Sequence, residues 1–102
     1  MLNASGYKLK YTHLFESKVK QFKKDRVLMD ELHKKIEKIL SDPFIGKPLQ
    51  YNLTNHRSIR VREKYRLIYK INEVDSEIIL VAFGHRKSVY EFLVLDSKVQ
   101  RH

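Results

Sequence analysis

The stretch Glu77-Ile78-Ile79-Leu80-Val81-Ala82-Phe83 opens on one charge and is apolar from there on. A run this short, rich in branched residues and without polar alternation, reads as a central β-strand buried on both faces. Such a strand needs neighbours. Ser58–Val61 alternates, and Tyr65–Ile71 is rich in aromatic and branched residues. Polar turns at Glu63-Lys64 and Glu73-Val74-Asp75-Ser76 join the three as antiparallel hairpins.

The N-terminal half follows two periods. From Tyr7 to Thr12 the residues Tyr7, Leu9 and Tyr11 alternate with Lys8, Lys10 and Thr12, which predicts a half-buried strand. Phe15, Val19 and Phe22 then recur at helical spacing until Lys23-Lys24-Asp25 interrupts them. A second helix is expected over Arg26–Leu40, with Leu28, Leu32, Ile36, Ile39 and Leu40 on one stripe. Ser41-Asp42-Pro43 ends it, because a residue before proline avoids helical dihedrals. Residues Phe44–Asn55 form a loop holding Gly46 and Pro48, with a short strand expected around Gln50–Leu53. The fold class is therefore α+β: an N-terminal strand, a two-helix hairpin, then a three-stranded antiparallel sheet with the helices on one face and the other face free for function. With 102 residues the chain is expected to be a single domain spanning 1–102, its last residues, 92–102, a short helix or a flexible tail.

Charge narrows the function. Twenty-one Lys and Arg against twelve Asp and Glu give +9, a field that draws in polyanions or an acidic protein. The absence of cysteine removes disulfides, thiolate metal sites and cysteine nucleophiles and fits a cytoplasmic setting. No run reaches membrane-spanning length, so no membrane association is expected. His13, His33, His56, His85 and His102 are scattered, with no pair on one helical face beside a carboxylate, so neither metal nor cofactor is expected. Gly6, Gly46 and Gly84 make no phosphate-binding loop, and nothing points to a Ser-His-Asp triad.

Two stretches carry chemistry. His56–Lys70 contains Arg57, Arg60, Arg62, Lys64, Arg66 and Lys70 against the single acid Glu63. Strand alternation predicts Ser58, Arg60 and Arg62 on one face, with Ile59 and Val61 on the core side, and Arg66, Ile68 and Lys70 sharing a face of the next strand. Antiparallel pairing can bring Arg60 or Arg62 beside Arg66. Clustered guanidinium groups repel unless an anion lies between them, and phosphate suits their planar fork. The bland reading of the same stretch is a solvated charged strand. The second stretch, Gly84-His85-Arg86-Lys87-Ser88-Val89-Tyr90, leaves the apolar strand at a sheet edge with an imidazole, a guanidinium and a phenol. His85 is the residue type that transfers protons near neutrality, Tyr90 can stack on a base, and a structural role for the histidine competes with the catalytic one.

Gly46-Lys47-Pro48-Leu49, Ser58-Ile59-Arg60-Val61, Tyr65-Arg66-Leu67-Ile68-Tyr69, Gly84-His85-Arg86 and Val89-Tyr90-Glu91 together resemble the RelE/ParE superfamily of toxins from toxin–antitoxin systems. The resemblance covers most of the domain. It implies a RelE-like mRNA interferase that cuts messenger RNA in the ribosomal decoding site without metal, by attack of the nucleotide's own 2′-hydroxyl. By the same resemblance Arg66 and Arg86 contact the phosphate, Tyr90 stacks on or orients the nucleotide, and Arg60 takes the place of a catalytic-face lysine. Ser58 stands where RelE has a further lysine, and His85 is the substitute general base. Arg57, Arg62, Lys64, Lys70 and Lys87 are the expected RNA-binding residues. The implied partners are an acidic RelB-like antitoxin, the ribosome and mRNA, with operator DNA bound by the toxin–antitoxin complex. A ParE-like inhibitor of DNA gyrase, or a non-catalytic nucleic-acid-binding module, is the alternative.

Overall fold

A computed structural model describes residues 6–49 and 53–91. Five strands form one sheet in the order β1-β5-β4-β3-β2: β1 (Lys8–Tyr11), β2 (Lys47–Pro48), β3 (His56–Val61), β4 (Tyr65–Asn72) and β5 (Glu77–His85). The predicted antiparallel core is present, with β3 paired to β4 and β4 to β5, while β1 adds to β5 in parallel. Two helices, α1 (His13–Lys20) and α2 (Arg26–Ser41), connect β1 to the rest, followed by a 3-10 turn at Pro43–Ile45.

Local chemistry sets the helix ends. The Thr12 side chain accepts from Phe15 N–H and also donates to the Val81 carbonyl at 2.7 Å, so the N-cap of α1 is fastened to β5. Asp25 caps α2 by accepting from Leu28 N–H, which is why the Lys23-Lys24-Asp25 interruption falls where expected. Asp42 accepts from Phe44 N–H and starts the 3-10 turn.

One sheet face carries Val61, Leu67, Tyr69, Ile71, Ile78, Leu80 and Phe83, which meet Phe15, Leu28, Leu32 and Ile39 of the helices in the main core. Helix α1 lies along β5, and α2 lies against β3. Phe22, beyond the end of α1, packs edge-on against both Tyr65 and Phe83. A bulge opposite Ile68/Tyr69 inserts Val81 and keeps Leu80 and Phe83 on this face.

Several expectations need correction. The N-terminal strand is exposed at all four positions rather than half buried, because it is a parallel edge strand. The face opposite the helices is not free. It holds a second apolar cluster of Ile68, Val81, Ala82 and Val89, with Leu14, Leu49, Leu53 and Ile79 packed on it. The short strand described after α2 is Lys47–Pro48; residues 50–52 of the expected Gln50–Leu53 strand lie outside the described residues, as does the 92–102 tail. Finally, β5 extends through His85, so that residue ends a strand paired to Tyr65 instead of lying in a loop at a sheet edge.

Candidate nucleic-acid interface

Strand register makes the site. Arg60 of β3 and Arg66 of β4 are direct partners in the ladder, Ser58 faces Ile68, and His56 faces Lys70. These six residues share the face away from the helices. Like charges directly opposite on a sheet oppose folding, yet among the described residues no carboxylate pairs with Arg60 or Arg66. Arg66 is steadied by backbone oxygens instead, donating to the Tyr65 and Glu63 carbonyls at 3.0 and 3.2 Å. Arg60 is exposed. The two guanidinium groups line an open groove with Lys47, Phe44, Ile45 and Ile59.

The β3–β4 turn supplies the next cations. Arg62 was expected on the strand face beside Arg60. It lies in the turn with φ of 52°, a left-handed conformation that costs a non-glycine residue about 1–3 kcal/mol. It shares a separate groove with Lys64, Tyr65, Glu63 and Asp25. The Lys64 carbonyl accepts the Arg86 backbone N–H at 2.7 Å. That bond holds the segment after β5 against the β3–β4 turn, so Arg86 and Lys87 join Arg60, Arg62, Lys64 and Arg66 at one end of the sheet.

Val89 fixes the approach of Tyr90. Its side chain is fully buried in the second cluster with Ile68 and Ala82. Val89 therefore anchors a helical turn on the Arg66 side of the sheet, and Tyr90 leaves that turn into solvent, 36% exposed.

His85 is oriented differently from the other candidates. It pairs with Tyr65, and its ring meets the Tyr65 ring edge-on at 5.9 Å, on the helix-bearing side of the sheet. Its Nδ1 accepts the Lys87 backbone N–H at 3.1 Å. An acceptor nitrogen carries no proton, so in the neutral ring the proton sits on Nε2. The geometry thus offers a hydrogen-bond donor to the outside rather than the free lone pair a general base requires.

Arg57 is also committed elsewhere. Counted from sequence among RNA-binding groups, it donates to the Phe44 and Gly46 carbonyls at 3.1 and 2.6 Å, and its guanidinium lies 5.1 Å from the centroid of the Phe44 ring. Ser58 is buried, at 9% exposure, in keeping with a hydroxyl where a long cation would otherwise project. Lys70 stands two pairs along the face from Arg66, beside His56. Burial and Lys70 push the His56 imidazole below its usual range; its bond to the Thr54 carbonyl opposes that shift. Sequence reasoning passed over Lys47 and Phe44. Lys47 lies within the Gly46-Lys47-Pro48-Leu49 motif and Phe44 two residues before it, in a stretch read as a plain loop.

No cluster of three or more His, Cys, Asp or Glu side chains able to hold a metal ion occurs among the described residues. No helix among them is long and apolar enough to cross a membrane.

A five-stranded sheet of this order with a helix pair on one face is the fold of solved RelE/ParE-type toxins. The toxin–antitoxin complex RelBE2 from Mycobacterium tuberculosis superposes with a TM-score of 0.66 at 25% identity, over 78% of this chain and 98% of that one. The YoeB/ParE toxin from Agrobacterium tumefaciens has the same fold, with a TM-score of 0.71 at 17% identity over 78% of this chain and 98% of that one. RelE4 of Methanocaldococcus jannaschii is 25% identical over 69 residues, covering 68% of this chain and 73% of that protein. The family described as ParE toxin of type II toxin–antitoxin system, parDE, matches residues 9–90. The chain belongs to this family of type II toxins.

Proposed function

We propose that this toxin is a ribosome-dependent, metal-independent endoribonuclease that cuts mRNA. The observation that carries the reading is the ladder pair Arg60–Arg66, two guanidinium groups with no described carboxylate partner, opening on a groove at the sheet end that also carries Arg86. Keeping like charges adjacent and unneutralised costs stability, and an anionic ligand supplies the missing partner.

In the reaction, the 2′-oxygen forms a bond to the adjacent phosphorus while the bond from phosphorus to the 5′-oxygen breaks. The products are a 2′,3′-cyclic phosphate and a 5′-hydroxyl. The 2′-hydroxyl loses a proton and the leaving oxygen gains one. Arg60 and Arg66 stabilise the doubly charged phosphorane between them, Arg86 adds a third cation, and Tyr90 stacks on or orients a nucleotide. His85, with Nδ1 engaged, holds the Lys87 backbone and so positions Arg86. The proton from the 2′-hydroxyl then passes to solvent or to a ribosomal group. Arg62, Lys64, Lys70 and Lys87 extend the field that holds the RNA backbone.

The partner in this reading is an acidic, RelB-like antitoxin laid over the basic face as an amphipathic segment. RelBE2 and the Escherichia coli DinJ–YafQ pair were solved as toxin–antitoxin complexes. The match to a ParE family description favours a second reading, poisoning of DNA gyrase without RNA chemistry. Pulse labelling after toxin induction separates the two. The nuclease halts amino-acid incorporation within minutes while thymidine incorporation continues; the gyrase poison reverses that order.

A further inference from the structure

Phe44 is a large aromatic side chain left 49% exposed at the tip of the 3-10 turn. Its position is fixed from three directions. Asp42 accepts its backbone N–H, and Arg57 holds its carbonyl. The same guanidinium covers one face of the ring at 5.1 Å. Such an arrangement restrains the ring while leaving the rest of it to solvent, so little ordering entropy remains to be lost when something stacks there. Phe44 lines the groove that contains Lys47, Arg60 and Arg66. An exposed, pre-ordered aromatic beside unneutralised cations is the combination that single-stranded nucleic acid recognises, with bases on the ring and phosphates on the cations. Apolar packing alone does not explain the ring, since it belongs to neither apolar cluster.

We propose that Phe44, backed by Arg57, is a stacking platform for a nucleobase of the RNA whose phosphate lies against Arg60 and Arg66. This rests on the RNA-cleaving reading and adds to it a second base contact besides Tyr90. Arg57 then acts as a positioning residue, and the ring is tolerant of base identity because every base offers a π-face.

The test uses a fluorescein-labelled 2′-O-methyl oligoribonucleotide, which the toxin cannot cleave, read by anisotropy with the purified toxin. Phe44→Leu keeps an apolar side chain, and Phe44→Tyr keeps the ring. The expected result is binding weakened about fivefold to a hundredfold by Phe44→Leu, unchanged by Phe44→Tyr, and unaffected by Phe44→Leu when the probe carries an abasic nucleotide at the stacked position. Unchanged melting temperatures of both variants exclude a folding defect. If Phe44→Leu binds every probe as tightly as wild type, the platform does not exist, although cleavage by wild type would leave the nuclease reading standing. If wild type neither binds the probe nor cleaves mRNA, the RNA reading itself falls, and the platform falls with it.

Discussion

The Tyr69 hydroxyl and the Gly46 backbone are locked together: Gly46 N–H donates to the phenol oxygen at 2.9 Å, and that hydroxyl donates to the Pro43 carbonyl at 2.7 Å. Tyr69 is fully buried, and burial raises its pKa. The phenol is therefore a neutral bolt that holds the loop carrying Phe44 and Lys47 against β4. A Cβ on residue 46 would lie 2.6 Å from that oxygen and 2.9 Å from the Ser58 carbonyl. Glycine is required here for close approach, since its φ of −73° suits any residue.

Gly46→Ala should accordingly lower stability by about 1–3 kcal/mol, because the neighbours it would strike include backbone. Tyr69→Phe leaves a buried N–H and carbonyl without their partner and should cost about 1–3 kcal/mol. Chemical denaturation of both variants checks this. Wild-type midpoints for both would show that the bolt does not hold the loop.

Arg60 and Arg66 should show stability and activity moving in opposite directions. Arg66→Ala and Arg60→Gln each remove a like-charge opposition, so the melting temperature should hold or rise. Cleavage should drop by roughly a hundredfold or more if each stabilises the phosphorane in a water-poor site. A scan of melting temperature beside single-turnover cleavage decides the matter. Loss of stability in parallel with activity would make the pair structural.

For His85, the Lys87 N–H···Nδ1 bond predicts a role in positioning. Asparagine places an acceptor near the Nδ1 site but cannot titrate. His85→Asn should therefore keep most of the cleavage and His85→Ala should lose more. A base mechanism leaves both variants equally dead, because neither asparagine nor alanine can take up the proton.

His56 gives a stability signature. Its folded-state pKa is lowered from 6.5, chiefly by burial. The unfolded chain therefore binds a proton at a higher pH than the folded one does. The stabilisation is complete above about pH 6.5 and is lost as pH falls through the folded-state value. Melting temperatures of wild type and His56→Gln, compared between pH 8 and 5, should converge as the pH drops. A constant gap would mean that His56 does not titrate differently on folding.

Much of this architecture was legible because periodicity survives in single stretches. The run at Ile78–Phe83 and the stripe Leu28, Leu32, Ile36, Ile39 each name their own burial. The Arg60–Arg66 pairing was visible from alternation plus one polar turn. What failed depended on geometry that no local pattern encodes. Arg62 left the strand face because the turn needs a left-handed residue. His85 sits away from the arginine pair because β5 continues two residues beyond its apolar run. Arg57 looked like one more RNA-facing cation until the turn at Phe44 folded back over it.

The proposed RNA cleavage at Arg60 and Arg66 is tested by end analysis of mRNA on programmed ribosomes, run beside a supercoiling assay with purified gyrase. Wild type should leave a 2′,3′-cyclic phosphate at discrete positions. A single 2′-deoxynucleotide at the cut position should abolish the cut there, and Arg66→Ala should suppress cutting throughout. Intact mRNA together with gyrase-dependent DNA breaks from the same preparation would make this chain a gyrase poison and not a nuclease.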